Sequence, residues 1–244
     1  MILQALKSYY DRKPNLPRQG FEEKAIPYIL TLAADGAPVS LSPTYEGQGK
    51  NRRAKTFLVP QAVKRSVGIA ANLLWDNPEY VLGIKVKGKP ERIAEQHSAF
   101  KARIAELGEI DDAGVVAVTA FLLKGDKEAL LTGFGEAWAQ LREEGANLTF
   151  QLAGDSQLVL ERPIVREAIR RSAGGEGDSQ ELCLITGKQA DVERLHTAIK
   201  GVYGAQSSGA NIVSFNLDAF RSFGKDQGAN APVGKSAAFA YTTA

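Results

Sequence analysis

The residues best placed to do chemistry lie near the end of the chain, in ANAPVGKS from Ala229 to Ser236, where Gly234-Lys235-Ser236 opens a predicted helix in the manner of a phosphate-binding loop. Such a loop follows a buried strand and begins on a glycine, so that successive backbone N–H groups can surround a phosphate. Here Ala229 stands in the leading place, the preceding SFGKDQG is polar, and Pro232 lacks one of the N–H groups. The string is read as a near match, and a nucleotide hydrolase using Lys235 and Ser236 is the enzyme-class alternative. His196 lies close in sequence to Ser207 and Ser208, but neither serine sits in a GxSxG elbow and no acid is placed to orient the imidazole. His97 falls on the apolar face of a predicted helix, where a hydrogen-bonded core histidine is expected. Two distant histidines without matched carboxylates, and Cys183 as the only cysteine, make no metal cage, so no metal, no cofactor and no catalysis are expected.

Polyanion binding is the chemistry that the spacing supports. From Gly47 to Trp75 there is no acidic residue, yet Lys50, Arg52, Arg53, Lys55, Lys64 and Arg65 crowd around the apolar run Thr56 to Val59. Cations with no local acid can neutralise phosphates and release counterions. The stretch leads into GIAANLLWDNPEY, where the carboxamides of Asn72 and Asn77, beside Trp75, could donate to and accept from base edges. A second acid-free string, GAQSSGAN, sets Gln206, Ser207 and Ser208 between Gly204 and Gly209, with Lys200 before it and Asn211 after. Glycines allow a tight excursion, and small polar side chains at its tip suit entry into a groove. Read as ordinary structure, the first segment is a solvated loop and the second a plain turn.

These segments need a scaffold. A chain of 244 residues with 44% hydrophobic content can bury a core or two of ordinary size. Its 30 basic and 28 acidic residues leave a net charge of only +2, so nucleic-acid binding has to come from uneven distribution. The lone cysteine fits a reducing cytoplasm, and no run reaches the roughly 18 apolar residues that a membrane span needs, so neither secretion nor a membrane partner is expected. An amphipathic helix opens the chain through Ile2, Leu3, Leu6, Tyr9 and Tyr10. Alternation of Ile26, Tyr28, Leu30 and Leu32 before Asp35-Gly36 predicts a β-hairpin with a type I′ turn. Helical spacing covers the segment from Pro90, Ala113 to Leu123, Gly135 to Arg142 and the segment from Pro163. Asn147 to Leu152 and Gln157 to Leu160 are predicted to pair as strands, ELCLITG to form a buried strand, Asp191 to His196 a short helix, and Ile212 to Phe215 a strand. The Gly/Ser/acidic loop at 172–180 is the expected internal boundary or flexible insertion. Strands and helices mix without regular βαβ alternation, which predicts an α+β fold with a largely helical middle third. A helical pattern begins at Ser236 and stops almost at once, which suggests a chain cut short.

The stretches GIAANLLWDNPEYVLG, LITG and AIKGVYGAQSSGANIVSFNLDAFRSFGKDQGANAPV resemble the signature segments of the large subunit of the type I-C CRISPR Cascade complex. The likeness runs from ILQALKSYYDRK to AAFAYTTA and is weakest across the helical middle. It implies that residues 1–244 are an N-terminal DNA-recognition region, with the family's C-terminal helical region absent. It further implies a non-catalytic cytoplasmic subunit that recognises the protospacer-adjacent motif in double-stranded DNA and helps to open the duplex for guide RNA. Its implied partners are the guide RNA-bearing Cascade backbone subunits and the helicase-nuclease. Guide pairing then reads the long sequence, while protein reads only the short motif and the duplex shape. Under this resemblance GANAPV belongs to the family's own pattern. The phosphate contacts are expected from Lys50, Arg52, Arg53, Lys55, Lys64, Arg65 and Lys200, and motif reading from Asn72, Asn77, Gln206, Ser207, Ser208 and Asn211. A scaffold that touches only guide RNA or sister subunits is the binding-class alternative.

Overall fold

A computed structural model describes residues 1–63, 65, 68–173, 180–199, 201–207 and 209–244, with Lys50, Ala173 and Ser222 described by their backbone alone. The chain forms two compact units, one of residues 1–19 and 173–244 and the other of residues 20–172. Residues 174–179, most of the 172–180 stretch where an internal boundary was expected, lie outside the described set, as do Lys64, Lys200 and Ser208.

The chain begins with α1 (Ile2–Arg12). The 20–172 unit then contains β1 (Phe21–Ala25), β2 (Tyr28–Leu32), β3 (Pro38–Pro43), β4 (Tyr45–Glu46), β5 (Arg53–Ala54), β6 (Thr56–Pro60) and β7 (Trp75–Asp76). Helices α2 (Pro78–Val81), α3 (Pro90–Ala105), α4 (Ala113–Leu123), α5 (Lys127–Thr132) and α6 (Gly135–Glu144) follow, then β8 (Leu148–Leu152) and α7 (Pro163–Ala173). One sheet has the order β3-β2-β8-β7, and β1-β6 and β4-β5 form separate antiparallel pairs. This mixture is an α+β fold. The central pair, β2 with β8, is parallel and in register from Tyr28 with Leu148 to Leu32 with Leu152. Period-two alternation places Tyr28, Leu30 and Leu32 in the core with Leu148 and Phe150. Phe150 meets Phe100 of α3 and Phe121 of α4 with ring centres 6.4 and 6.2 Å apart. The almost wholly apolar α4 is started by Asp112, whose Oδ1 accepts from the N–H groups of Gly114 and Val115 at 2.9 and 3.1 Å. The other oxygen of Asp112 accepts from Arg162 Nε at 2.7 Å, and Arg162 also pairs with Asp155.

The predicted hairpin is β2–β3, but its turn is not type I′. Asp35 does not have a positive φ, and only Gly36 does, at 75°. Ala33 N–H donates to the Ala37 carbonyl at 2.8 Å and closes a three-residue loop that ends on a left-handed glycine. A Cβ at Gly36 would stand 2.4 Å from the backbone nitrogen of Phe121, so the close approach of α4 requires glycine as well. Gln157 to Leu160 is also not a strand. It makes one bridge, Gln151 with Leu158, and then turns into a 3₁₀ helix at Val159–Glu161.

In the other unit, β9 (Gln180–Leu182) pairs with β10 (Gln189–Asp191), and α8 (Lys235–Thr243) packs against α1. Cys183, Ile185, Val233, Ala237, Ala238 and Tyr241 form its core, with Leu3 and Leu6 against it. The expected ELCLITG strand ends at Leu182, beyond which the Cys183 and Leu184 N–H groups donate to the Lys188 and Pro232 carbonyls, each at 2.9 Å, and Leu182 and Leu184 face outward. Asp191 to His196 is not a helix. The Glu193 N–H donates to the Val233 carbonyl at 2.8 Å and Val192 bridges Gly234, so tertiary backbone pairing overrides local helical preference. Ile212 to Phe215 carries β-forming residues but finds no partner strand among the described residues and is irregular.

Candidate nucleic-acid interface

In the 20–172 unit the basic segment folds into a short arm. β4 and β5 pair Tyr45 with Ala54 and Glu46 with Arg53, and Gly47 (φ 77°) turns the chain so tightly that a Cβ there would lie 2.6 Å from the Asn51 carbonyl oxygen. Arg52 leaves the arm to lie over the Tyr45 ring, 3.6 Å from its centre, and donates to Glu144 Oε1 at 3.2 Å. The other oxygen of Glu144 accepts from the Tyr45 and Tyr28 hydroxyls at 2.6 and 3.0 Å. Burial works to raise the Glu144 carboxyl, but the three donors outweigh it and hold the group below its ordinary value. Burial and then the Glu144 carboxylate push the Tyr45 phenol up to about 12.

Arg65 is committed in the same way. It pairs with Asp76, donates from Nε to the Ala70 carbonyl at 2.6 Å and covers the Tyr80 ring at 4.2 Å. Asp76 is 1% exposed and also accepts from the N–H groups of Asn72 and Asn77, each at 2.9 Å. Burial still places its carboxyl above the ordinary range, ahead of the opposing bonds from Arg65 and the Asn72 N–H, as expected for a charge taken out of water. An acid-free stretch of sequence therefore does not leave all its cations free. Glu144 and Asp76 come in from outside it and fix Arg52 and Arg65 as parts of the scaffold.

The segment expected to read bases is likewise structural. Asn72 is 5% exposed, and its Oδ1 accepts from the Val63 N–H at 3.0 Å. Asn77 caps α2, its Oδ1 accepting from the Tyr80 N–H at 3.3 Å. Trp75 is buried and donates from Nε1 to the Pro60 carbonyl at 2.9 Å. Asn72, buried and already bonded, offers no edge to a base from that position, while Asn77 is half-buried with its Oδ1 committed to the cap.

What remains is Arg53 and Lys55. Both are exposed, and no ion pair engages either among the described residues, although Glu46 stands opposite Arg53 in the strand register. The Lys55 ammonium lies 5.5 Å from the centre of the Phe57 ring, on a groove of about 610 Å³. Tyr45 and Phe57 give this groove aromatic surface, Thr44, Thr56, Gln151 and Ser156 give it hydrogen-bonding groups, and the carboxylates of Glu46 and Glu161 also line it, Glu161 accepting from the Leu158 N–H at 2.9 Å. Sequence reasoning named Lys55 but missed the groove, because Gln151 and Ser156 reach it only through the long-range pairing of β2 with β8. The Lys50 side chain and all of Lys64 lie outside the described residues.

In the other unit, Ile199 and Ala210 bridge through two hydrogen bonds of 2.8 Å and close the predicted loop at its base. Gln206, Ser207 and Asn211 are exposed, while Lys200 and Ser208 lie outside the described set. Asn211 lines a small cavity with His196 and Phe215. His196 Nδ1 shares a hydrogen bond with the Tyr241 hydroxyl, and burial lowers its pKa. His97 Nδ1–H donates to the Tyr80 carbonyl at 2.9 Å, as a packed histidine does. At the near match to a phosphate loop, residues Gln227–Asn230 form a 3₁₀ turn where a strand would be needed. The Ala229 and Ala231 N–H groups are committed to the Asp226 and Gly228 carbonyls at 3.1 and 3.0 Å. Among the described residues no helix is long and apolar enough to cross a membrane.

Compared with known families, residues 6–244 match the family described as CRISPR-associated protein (Cas_Csd1). No curated protein matches the chain.

Proposed function

Because the chain belongs to the CRISPR-associated Csd1 family, and so is a Cascade-type subunit, we propose that it serves as the large subunit of a type I-C complex. In that role it binds foreign double-stranded DNA, recognises the protospacer-adjacent motif, and helps to open the duplex so that guide RNA can pair. It recruits the helicase-nuclease and has no catalytic activity of its own. Its partners are the duplex, the guide-bearing backbone subunits and that nuclease.

The observation that carries this reading is that Arg53 and Lys55 are exposed with no ion pair among the described residues, Lys55 lining a groove with aromatic, polar and acidic walls. Phosphates need cations that are not already neutralised, and a nucleotide also needs a flat surface and a few donors. The exposed carboxamide and hydroxyl of Gln206 and Ser207 supply motif contacts from a loop closed at its base.

The test is a binding selection from duplexes with randomised sequence beside a guide-matched target, followed by titration of the selected and unselected duplexes across a salt series. Enrichment of a short motif, together with affinity that falls steeply with salt, is the expected result. Salt-sensitive binding without enrichment removes the motif-reading role. No duplex binding, with tight binding to guide-bearing partners, leaves a scaffold.

A further inference from the structure

Helix α4 reads AGVVAVTAFLL from Ala113 to Leu123 and has no charged residue. One side of it is core, with Val115, Val118, Phe121 and Leu122 buried against β8, β2 and α3. The opposite side is no less apolar. Val116, Ala120 and Leu123 recur at the i, i+4 and i+7 spacing of one helical face, with Ala113 a turn before them and Thr119 beside them. Val116 is 55% and Leu123 76% exposed. From Ala113 to Leu123 this stripe runs about 15 Å, close to three turns. Helices α3 and α6 of the same unit instead turn charge to water, through Glu91, Arg92 and Glu95 on one and Glu136, Arg142 and Glu143 on the other. A helix that is apolar all round is ordinarily buried all round, so α4 has the sequence of a buried helix while one of its sides lies open.

The border of the stripe selects its occupant. Glu109 and Asp111 lead into α4, Asp126 follows it, and Asp35 stands on the β2–β3 turn that Gly36 presses against the Ala117–Phe121 backbone. All four are exposed, and none has an ion pair among the described residues. Lys124 is the single cation from Glu109 to Asp126. Carboxylates at both ends repel phosphates, which disfavours nucleic acid, and a second copy of the chain would set like charges against one another. A protein segment with an apolar face and basic flanks satisfies the stripe and its rim together. Permanent interfaces are more hydrophobic than transient ones, so an open leucine and valine on a helix without charge suit a lasting neighbour.

We propose that the open side of α4 seats a neighbouring backbone subunit of the assembly, which lays an amphipathic helix with lysine or arginine flanks along Val116, Ala120 and Leu123. This rests on the reading of the chain as a subunit with guide-bearing partners and is independent of duplex binding through Arg53 and Lys55.

The test places the photoreactive residue p-benzoylphenylalanine at position 119, which is exposed in the middle of the stripe, and adds the purified full chain to the guide-bearing complex assembled without it. Irradiation is expected to join this position to a backbone subunit, at a segment with apolar residues three or four apart and basic residues beside them, located by mass spectrometry. Val116→Glu/Leu123→Glu should weaken association on the order of ten-fold to a hundred-fold, and should keep the thermal midpoint of the free chain, because both positions are exposed there. Glu109→Lys/Asp111→Lys should weaken association at low salt and approach the parent at high salt. Cross-links to guide RNA, to a second copy of the chain or only to added helicase-nuclease overturn the proposal, as does parent-like association of both double variants. In each of these cases entry of the parent into the complex leaves the subunit reading standing. If the parent itself does not enter the complex, that reading is overturned, and the docking surface with it.

Discussion

Arg65 and Asp76 are bound to one another at a point where the carboxylate is 1% exposed and the guanidinium lies over the Tyr80 ring. The same carboxylate receives the N–H groups of Asn72 and Asn77, so a single side chain organises the turn into β7 and the start of α2. Removing Arg65 leaves the buried Asp76 carboxylate without its counter-charge, and breaking a buried pair in this way costs about 3–5 kcal/mol. Arg65→Ala should therefore lower unfolding free energy by roughly that amount in a denaturant titration. A change below about 1 kcal/mol would mean that the Asp76 carboxylate is held by its backbone donors alone and the pair is not structural.

Arg52 ties the β4–β5 arm to the end of α6 through Glu144. A hydrogen bond to a charged group contributes about 1.5–3 kcal/mol, so Glu144→Gln should destabilise the 20–172 unit by an amount in that range. Limited proteolysis should then cut first between Gly47 and Asn51. Arg52→Ala should leave the salt dependence of duplex binding as it is, because a cation already paired with Glu144 releases few counterions from a phosphate.

Gly36 and Gly49 separate backbone strain from close packing. Both have positive φ, 75° and 55°, but a Cβ on Gly36 would collide with the backbone of α4 whereas one on Gly49 meets nothing within 4 Å. Gly49→Ala should cost about 1–2 kcal/mol, the penalty of a left-handed L-residue. Gly36→Ala should add the displacement of α4 and cost more, read as the larger fall in thermal midpoint. Equal falls would contradict the observed packing.

Stability should depend on pH through His97. Burial first, and the nearby Lys127 and Lys101, hold its imidazole below the ordinary 6.5, against the Tyr80 carbonyl. Because the folded state binds the proton less well than the unfolded chain, stability is unaffected by this group above that value. It falls as pH drops below 6.5 and levels off once the lowered folded value has been passed. Unfolding free energies measured between about pH 5 and 8 should show this acid loss, and His97→Gln should reduce it even though the variant is less stable at neutral pH. An unchanged slope in the variant would rule His97 out as the source.

Much of the framework could be read locally. Helices α3, α4, α6 and α7 follow from apolar spacing, with proline or aspartate also marking the starts of α3, α4 and α7, and the β2–β3 hairpin from alternation ahead of Asp35-Gly36. Features that depend on distant partners could not be read this way. The parallel pairing of β2 with β8 joins segments separated by the whole helical middle, and nothing in YILTL names LTFQL as its neighbour. The same limit misled the reading of the basic stretch. Asp76 sits one residue beyond its end and could have been suspected as a partner for Arg65, whereas Glu144 reaches Arg52 only through the fold. Val192 and Ile212 show the converse, with local preferences for helix and strand overruled by backbone pairing in one case and, among the described residues, by lack of a partner strand in the other.

Free cations on the arm and groove, as opposed to all the cations of the basic stretch, are the centre of this account. The direct measurement is the dependence of duplex affinity on salt concentration for the parent chain, for Arg53→Glu/Lys55→Glu and for Arg52→Gln. Each phosphate contact contributes about 0.9 to the slope of log affinity against log salt, so losing both free cations should reduce the slope by about 2 and weaken all sequences alike. Arg52→Gln should keep the parent slope. An unchanged slope for the double variant, or an equal loss for Arg52→Gln, would contradict the assignment of phosphate binding to Arg53 and Lys55.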